Sequence, residues 1–358
     1  MRTTEITSYF GAEGFRVLDE FLFKKKASKT FILVDENTAS CIGAFSNQLA
    51  HLDSDFDILE VPSGEDSKSI EVVVQLWASL LEYGADRQAL LINLGGGMIC
   101  DLGAFVASTY KRGISYVQVP TSLLAMVDAS IGGKTGINFQ GLKNQIGTFS
   151  EPDAVVIAPM FLASLSKKEW ISGHGEMIKH SLLKGSDWPA ILQLDASMNI
   201  EEEILRSVQI KSDVVSLDFK ESGFRKVLNL GHTFGHAWES LMLEKGTPIP
   251  HGMAVIQGLH LALALSQQDE LQKELSGKYP WDFVNEDDLT QLWTNQLADK
   301  KNQNQSVQFV LIDGLGQPTI DNPVDIKRWM DCILLLNQKV HGLGAAVTET
   351  KRFYHWSI

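Results

Sequence analysis

The segment Leu90-Leu91-Ile92-Asn93-Leu94-Gly95-Gly96-Gly97 is a short apolar run that ends in three consecutive glycines. A run of this length, bounded by glycine, is typical of a buried strand in a parallel sheet. Glycines directly after a strand let the backbone approach a pyrophosphate, whose charge the amides of the next helix can meet. The dinucleotide fingerprint G-x-G-x-x-G is incomplete, because Cys100 occupies the position of its last glycine. The glycines alone leave two interpretations open: a nucleotide site, or a tight turn into a helix with Asp101 in its first turn.

Similar apolar runs, rich in β-branched residues, alternate with helical patterns through the first 160 residues. The runs that predict further strands are residues 30–34, 58–61, 116–119 and 155–157. Residues 69–83 carry apolar side chains three and four apart, which predicts a helix. This alternation predicts a mostly parallel, doubly wound, Rossmann-like sheet. We assign residues 1–160 to an α/β domain.

After about Pro159 the pattern becomes long and helical, which predicts a mainly α-helical domain over residues 161–358. The predicted helices are residues 167–184, 201–218, 227–243, 252–266 and 324–337. In that half only residues 307–312 have the pattern of a strand, and residues 300–305 have that of an exposed loop. A cleft between an α/β half and a helical half is the expected place for a site.

Composition limits the class of protein. The chain has 358 residues, which suggests two domains, and 44% of them are hydrophobic, as in an ordinary globular protein. A net charge of −13 argues against nucleic acid as a partner, because phosphate binding needs a basic face. The sequence has no apolar run long enough for a membrane span and no signal-peptide pattern at its start. Its three widely spaced cysteines argue against a disulfide framework, so we expect a cytoplasmic protein.

A second glycine motif, Gly132-Gly133-Lys134-Thr135, resembles the end of a phosphate-binding P-loop. The first glycine of that motif is replaced by Asp128, so the P-loop pattern fails. Lys134 beside two glycines is still a candidate for holding a phosphate as a point charge. The alternative is a solvated loop lysine.

The helical half contains residue types that bind metals. His232 and His236 are four residues apart and therefore share one face of a helix, with Glu176 or His251 as a candidate third ligand. A lone histidine pair on an amphipathic helix is more often packing or capping. Glu176 and Lys179, three residues apart, can likewise be an exposed helical ion pair.

Two more polar residues, Arg225 and Asn229, precede the histidines. Asn229 lies about one turn and Arg225 about two turns upstream of His232, on nearly the same helical face. A face that carries Arg, Asn and two His is costly to bury without a ligand. This pattern favours a site over simple packing.

Taken together, the motifs of this chain resemble the 3-dehydroquinate synthases, a family of sugar phosphate cyclases. They run from about residue 30 to 316 in the order of the family, which makes the resemblance specific. The matching motifs are Asp35-x-Asn37, Gly64-Glu65-x-Ser67-Lys68-Ser69, Gly95-Gly96-Gly97-x-x-x-Asp101-Leu102, Tyr110-x-Arg112-Gly113, Val119-Pro120-Thr121-x-Leu123-Leu124-Ala125-x-Val127-Asp128-x-Ser130-x-Gly132-Gly133-Lys134-Thr135, Lys143-Asn144-x-Ile146-Gly147, Gly175-Glu176-x-Ile178-Lys179 and Asn229-x-Gly231-His232-x-x-Gly235-His236-Ala237-x-Glu239.

The resemblance implies a role for each matched residue. The positions implied to bind NAD are Asp35, Asn37, Glu65, Lys68, Gly96, Gly97, Asp101, Thr121, Leu124 and Lys143. The implied zinc ligands are Glu176, His232 and His251, so that His236 becomes a substrate residue rather than a ligand. The other implied substrate residues are Asp128, Lys134, Asn144, Lys179, Lys211, Arg225, Asn229 and one of Lys300 or Lys301. Arg112 matches an arginine that reaches into the site of a partner subunit, which implies a homodimer.

The chain departs from the family pattern at four positions. Leu142 and Gly175 replace a usual glycine and a usual alanine, and His180 replaces a usual tyrosine. Met253 replaces a glutamate that often follows the glycine after the third ligand. None of these departures removes an implied ligand or a pocket cation.

The resemblance implies a lyase of the shikimate pathway that converts 3-deoxy-D-arabino-heptulosonate 7-phosphate to 3-dehydroquinate. In that reaction NAD transiently oxidises a hydroxyl held by zinc or cobalt, phosphate is eliminated, the ketone is reduced again and an aldol step closes the ring. A small substrate with a phosphate and a carboxylate explains many cations in an acidic protein. The alternatives are a sister cyclase that acts on a neutral heptulose phosphate and a metal-dependent polyol dehydrogenase.

Overall fold

The structure is a computed structural model that describes residues 8–140, 142–297 and 306–342. The chain forms two compact units. The first runs up to Leu228 and includes Pro250–Met253, and the second comprises Asn229–Ile249 and the chain from Ala254 onwards. These two units do not test the predicted domain limits, so the domains 1–160 and 161–358 stay a prediction.

The first unit contains a six-stranded sheet in which every pair of neighbouring strands is parallel. The strands of this unit are β1 (Ser8–Phe10), β2 (Thr30–Asp35), β3 (Asp57–Val61), β4 (Leu90–Gly95), β5 (Ser115–Pro120), β6 (Ile137–Phe139), β7 (Leu142–Ile146) and β8 (Ala154–Ile157). The order in the sheet is β1-β8-β5-β4-β2-β3, and β6 and β7 form a separate antiparallel pair. The predicted parallel, doubly wound sheet is confirmed, including all five predicted strands. Sequence reasoning missed β1, β6 and β7.

The strand order creates a switch point between β2 and β4. From β2 the chain crosses to β3 on one side, and it returns to β4 on the other side. Ligands of open α/β sheets bind beyond the carboxyl ends of the strands at such a point. The strand ends here carry Asp35 and Gly95, so the fold places the glycine turn where a nucleotide would bind.

The neighbouring strands β2 and β4 are buried along their whole length, because helices cover the sheet. The helices of the first unit are α1 (Gly11–Lys25), α2 (Cys41–Ser46), α3 (Ile70–Glu82), α4 (Gly97–Thr109), α5 (Lys167–Lys184), α6 (Trp188–Gln193) and α7 (Glu201–Leu217). One hydrophobic cluster joins the sheet to α3 and α4 and includes Phe31, Leu33, Leu80 and Val106, all 0% exposed. Full burial of each such side chain stabilises the folded state by about 1.5–3 kcal/mol. This packing fixes the start of α4 against the end of β4.

The second unit is mainly helical. Its elements are α8 (His232–Glu244), α9 (His251–Leu265, whose first residues belong to the first unit), α10 (Asp269–Lys278), α11 (Glu286–Leu297), β9 (Val307–Ile312), β10 (Pro318–Val324) and α12 (Ile326–Gly342). Its core is aromatic: the ring of Phe234 lies 6.0 Å from that of Trp238 and 5.6 Å from that of Trp281. The predicted helical character is confirmed. The expectation of a single strand in this half is wrong, because β10 pairs antiparallel with β9.

Two local predictions are also wrong. The helix predicted over residues 227–243 is instead a 3-10 segment, Phe224–Asn229, followed by α8. Gly231 separates them with a φ of 79°, a left-handed conformation that glycine adopts without strain. Arg225 and Asn229 therefore do not extend the helical face of His232. Asp101 lies in the second turn of α4 rather than the first, because α4 begins at Gly97.

None of the helices in the described ranges combines the length and apolar character that crossing a bilayer requires.

Candidate active site

The glycine turn lies between the carboxyl end of β4 and the first turn of α4. Gly96 precedes the helix with extended backbone angles, and Thr121 donates its backbone amide to Gly95 O at 2.9 Å. A Cβ added at Gly96 would be in ordinary contact with Ser122 Oγ, at 3.6 Å, and a Cβ added at Gly97 would lie 3.3 Å from Ala129 Cβ, so larger side chains would crowd the turn. The first amides of a helix have no intrahelical partner and can bind an anion at the turn. The turn therefore fits the pyrophosphate of a dinucleotide.

Asp35 organises the loop at the carboxyl end of β2. Its Oδ1 accepts hydrogen bonds from the backbone amides of Asn37 at 3.0 Å and Thr38 at 2.9 Å. This is the geometry of an Asx turn, which fixes the loop locally. The implied cofactor residues Asp35 and Asn37 thus share one rigid turn beside the switch point.

Lys68 is the centre of a buried polar network near the same strand ends. It is 4% exposed, and its Nζ donates to Asp101 Oδ2 at 2.5 Å and to Asn144 Oδ1 at 2.6 Å. Burial lowers the pKa of Lys68, but the carboxylates of Asp101 and Glu65 outweigh it and raise that pKa. The network therefore joins three implied cofactor residues to an implied substrate residue.

Asn138 completes this network, and sequence reasoning missed it. Its Oδ1 accepts the backbone amide of Asn144 at 3.0 Å, and its Nδ2 donates to Glu65 Oε1 at 3.0 Å. Asn144 has a φ of 53°, a conformation that asparagine tolerates better than most residues. Lys143, beside it on β7, is exposed. No local pattern around Asn138 distinguishes it, because its partners are distant in the sequence.

A second polar group, which we call the charged cluster, consists of Asp128, Glu176, Lys179 and Lys211. Lys211 on α7 donates to Asp128 Oδ1 at 2.7 Å and to Asp128 O at 2.5 Å. On α5, Lys179 forms an ion pair with Glu176, and their side chains are 1% and 0% exposed. The alternative of an exposed helical pair is therefore wrong.

Burial and the neighbouring charges together set the pKa values of Asp128 and Lys211 in the charged cluster. Burial is the largest single influence on the pKa of Asp128 and raises it, but the Lys211 and Lys179 ammonium groups and His180 together outweigh burial and lower that pKa to about 2. Burial lowers the pKa of Lys211, although Asp128 opposes the shift. A buried ion pair is weak evidence for stability, because desolvation offsets the attraction. Two such pairs side by side indicate a site that keeps charges in place for chemistry.

Glu176 and His251 have the spacing of two ligands of one metal ion. Glu176 Oε1 lies 3.5 Å from His251 Nε2. Two atoms that each bind a tetrahedral zinc ion at about 2.1 Å are separated by about 3.4 Å. A Cβ at Gly175 would lie 2.4 Å from Gly252 O, so the glycine that replaces the family's alanine permits this close approach of α5 to His251.

The other two histidines of the implied site belong to the second unit. His232 and His236 lie on successive turns of α8, with ring centroids 5.1 Å apart and nearly perpendicular planes. His232 Nδ1 lies 3.2 Å from Leu230 O. Glu176 and His251 belong to the first unit, so the three implied ligands divide between the units. Their joint binding of one ion stays a prediction, as does the substrate role of His236 and of Asn229.

Arg225 is a buried cation held by neutral groups. It is 2% exposed, and its Nη1 donates to the carbonyl oxygens of Gly132 at 2.9 Å and Phe219 at 2.6 Å. Among the described residues no carboxylate accepts a hydrogen bond from its guanidinium, and its Nε has no partner. Asp218, which sequence reasoning missed, fixes this loop by accepting the backbone amides of Gly223 and Arg225.

Lys134 and Arg112 are more accessible. Lys134 is 48% exposed on its side chain and forms an ion pair with Glu221, so it is not simply a solvated loop lysine. Arg112 is exposed at the end of the 3-10 turn after α4, with a φ of 69°. Its contact with a partner subunit stays a prediction. Lys300 and Lys301 lie outside the described residues.

Sequence comparisons agree with the geometry. The family models described as 3-dehydroquinate synthase N-terminal and C-terminal match residues 58–172 and 173–302. A 3-dehydroquinate synthase of Parabacteroides distasonis is 38% identical over 331 residues, which cover 88% of this chain and 93% of that protein.

Two solved structures share the fold. A 2-deoxy-scyllo-inosose synthase, complexed with carbaglucose-6-phosphate, NAD⁺ and Co²⁺, has a TM-score of 0.77 at 20% identity and covers 91% of this chain and 95% of its own. A 2-epi-5-epi-valiolone synthase from Streptomyces hygroscopicus, with NAD⁺ and Zn²⁺ bound, has a TM-score of 0.73 at 22% identity and covers 95% and 98% of the two chains. With two family models that together match more than half of its length, the chain belongs to the 3-dehydroquinate synthase family.

Proposed function

We propose that this chain is a 3-dehydroquinate synthase, a lyase that converts 3-deoxy-D-arabino-heptulosonate 7-phosphate to 3-dehydroquinate and phosphate in the shikimate pathway. The observation that carries the proposal is the charged cluster: the buried pair Glu176–Lys179 and the pair of half-buried Asp128 with buried Lys211, beside a histidine at metal-ligand distance. Family membership supplies the reaction, and the cluster supplies the buried charges that the reaction needs.

NAD is the cofactor that fits the strand ends of the first unit. The glycine turn at Gly96 and Gly97 would receive its pyrophosphate, and the Asx turn of Asp35 and the Lys68 network lie at neighbouring loops. When bound, NAD supplies reversible removal of a hydride, so that none is consumed overall. The chain's part is to hold the nicotinamide and the substrate in a fixed relation.

We propose that Glu176, His232 and His251 would hold a divalent ion, zinc or cobalt. The carboxylate–imidazole spacing of 3.5 Å in the first unit matches two ligands of one ion. Three protein ligands leave a position for substrate, where the ion supplies Lewis acidity to a hydroxyl oxygen. We propose that His236 stays outside this ligand set and contacts substrate.

The cations of the pocket match the anions of the heptulosonate phosphate. Arg225 is buried with only neutral carbonyls as hydrogen-bond partners among the described residues, so it retains a full charge that a ligand carboxylate can neutralise. We propose that Lys134 exchanges its ion pair with Glu221 for the substrate phosphate. Four further residues are proposed to orient the reacting hydroxyl groups: Lys179, Lys211, Asp128 and Asn144. Arg112 is proposed to complete the site of a partner in a cytoplasmic homodimer.

The direct test is incubation of the purified protein with the heptulosonate phosphate, zinc and substoichiometric NAD. We expect phosphate release and cyclic product over many turnovers, with no lasting rise in NADH absorbance. One NADH per substrate consumed would identify a polyol dehydrogenase instead. Turnover of a neutral heptulose phosphate but not of the heptulosonate would identify a sister cyclase, and would contradict the role of Arg225.

A further inference from the structure

Glu221 places a carboxylate beside the two cations that the proposed function assigns to the anions of the substrate. It lies in the loop between α7 and the 3-10 segment Phe224–Asn229, and its Oε2 forms an ion pair with Lys134 Nζ. Burial lowers the pKa of Arg225, and among the charges that oppose this shift the Glu221 carboxylate is the strongest. Glu221 is therefore close to both cations, although the proposed reaction does not use its carboxylate.

The two partners of this ion pair differ in exposure. The side chain of Glu221 is 15% exposed, whereas that of Lys134 is 48% exposed and is accessible to a ligand from solution. An ion pair with one partner half in water is weak, because water screens the attraction. A dissolved anion of higher charge can therefore displace the carboxylate from the ammonium.

The backbone of Lys134 is anchored, so a change of partner depends on movement of the glutamate. Lys134 pairs with Phe149 in an antiparallel β-bridge. Beside this bridge, the backbone amide of Ser150 donates to Gly133 O at 2.8 Å. These contacts fix the position from which the lysine side chain starts.

The loop that carries Glu221 is held by hydrogen bonds but is strained at the glutamate. Asp218 accepts the backbone amides of Ser222 at 3.0 Å and Gly223 at 2.7 Å. Glu221 itself has a φ of 56°, a left-handed conformation that is unfavourable for a residue with a long side chain. Strain of this kind persists where the surrounding structure imposes it. The loop thus keeps the carboxylate at Lys134 in spite of a conformational cost.

We propose that Glu221 is an internal competitor for the phosphate site: its carboxylate occupies Lys134 in the free enzyme and is displaced by any anion that binds there. A phosphate dianion carries about twice the charge of a carboxylate, so it replaces Glu221 at the ammonium more readily than a singly charged anion does. The inference rests on the proposed function, because it takes Lys134 as the phosphate-binding residue. Its consequences are selection for doubly charged groups and weaker binding of the released phosphate, which limits inhibition by this product.

The test measures the dissociation constant of inorganic phosphate for the purified full chain, with NAD present, by isothermal titration calorimetry. Glu221→Gln keeps the size of the side chain but removes its charge, and we expect phosphate affinity to rise about threefold or more. Lys134→Met removes the cation and should lose most of the phosphate affinity.

Two further variants separate the carboxylate from other effects. Glu221→Gly also removes the charge but relieves the left-handed strain, so it should raise phosphate affinity by a similar factor. Asp288→Asn is the matched control, because Asp288 is 11% exposed and pairs with a lysine, Lys245, that is 41% exposed. It removes the same charge from the second unit and should leave phosphate affinity unchanged.

Each outcome decides the inference. Unchanged phosphate affinity in Glu221→Gln, no phosphate binding in either protein, or an equal gain in Asp288→Asn overturns it. A gain in Glu221→Gly alone also overturns it, because the loop conformation rather than the carboxylate would then set the affinity. Undiminished binding in Lys134→Met would place the anion elsewhere and contradict the inference as well. If the heptulosonate phosphate is not converted, the proposed function fails, whereas unchanged phosphate affinity in Glu221→Gln defeats the inference alone.

Discussion

The charged cluster of the first unit and the histidine His260 of the second show two ways of burying polar groups. The cluster holds buried Glu176 and half-buried Asp128 against two buried lysines. His260 on α9 is 0% exposed, and its two ring nitrogens lie 2.8 Å from Tyr279 O and 3.3 Å from Gln272 Nε2. A neutral ring with two neutral partners is fully satisfied by the protein itself. The cluster retains charges beyond what packing needs, which distinguishes a reactive site from a structural one.

The largest expected effect comes from breaking one pair of the charged cluster. Glu176→Gln leaves the Lys179 ammonium buried without its carboxylate. Removing one partner of a buried pair costs about 3–5 kcal/mol, so we expect that loss in the free energy of unfolding of the metal-free protein. Urea denaturation measures it.

A matched double variant separates charge from packing in this experiment. Glu176→Gln combined with Lys179→Met removes both charges and should recover most of the lost stability. If the double variant is no more stable than Glu176→Gln, the pair does not explain the cost.

The next effect concerns Arg225, whose guanidinium donates no hydrogen bond to a carboxylate among the described residues. Arg225→Ala should lower kcat/KM for the heptulosonate phosphate by the equivalent of about 2–5 kcal/mol, and leave zinc and NAD binding nearly intact. Arg225→Lys should also be poor, because a point charge does not reproduce a planar fork.

Lys220→Ala is the control for Arg225, because Lys220 is an exposed cation of the same loop. Steady-state kinetics of the three variants decide the matter. Near-normal efficiency in Arg225→Ala would show that the buried charge does not bind the substrate.

The third prediction concerns the contribution of His260 to the loss of stability at acidic pH. Burial lowers the pKa of His260 from 6.5 to about 4, so the folded state resists protonation more than the unfolded state does. The free energy of unfolding is highest above pH 6.5 and falls as the pH drops towards 4, by a total of about 3 kcal/mol from this group. His260→Gln keeps a donor for Tyr279 O and should remove this part of the acid sensitivity. Denaturant unfolding at pH 7 and pH 4.5 measures the difference, and parallel losses in both proteins would disprove it.

The smallest effect tests whether distance or burial sets the strength of an ion pair. Lys245 Nζ lies 2.6 Å from Asp288 Oδ2, about as close as Lys211 lies to Asp128, but its side chain is 41% exposed. Because water screens exposed pairs, Lys245→Met should cost less than about 1 kcal/mol in the free energy of unfolding. A cost comparable to that of Glu176→Gln would mean that burial is not the deciding factor.

Much of the fold and part of the site could be predicted from the sequence. Apolar runs and helical spacing predicted five strands of the sheet and the helix Lys167–Lys184, because those patterns are local. The short edge strand β1 and the exposed hairpin β6–β7 lack such a pattern, so they were missed. The helix predicted over residues 227–243 failed because Gly231 adopts a left-handed conformation that apolar periodicity does not report.

The sequence by itself determined the alternation of strands and helices, the glycine turn after β4 and the residue types that resemble one family. Only the tertiary structure decided that Lys179 and Glu176 are buried, since spacing of three residues is the same for an exposed pair. It also decided that Lys68 meets Asn144 and that His180 faces the charged cluster. Burial and long-range contacts depend on which surfaces of distant segments pack together, and no local pattern in the chain encodes that information.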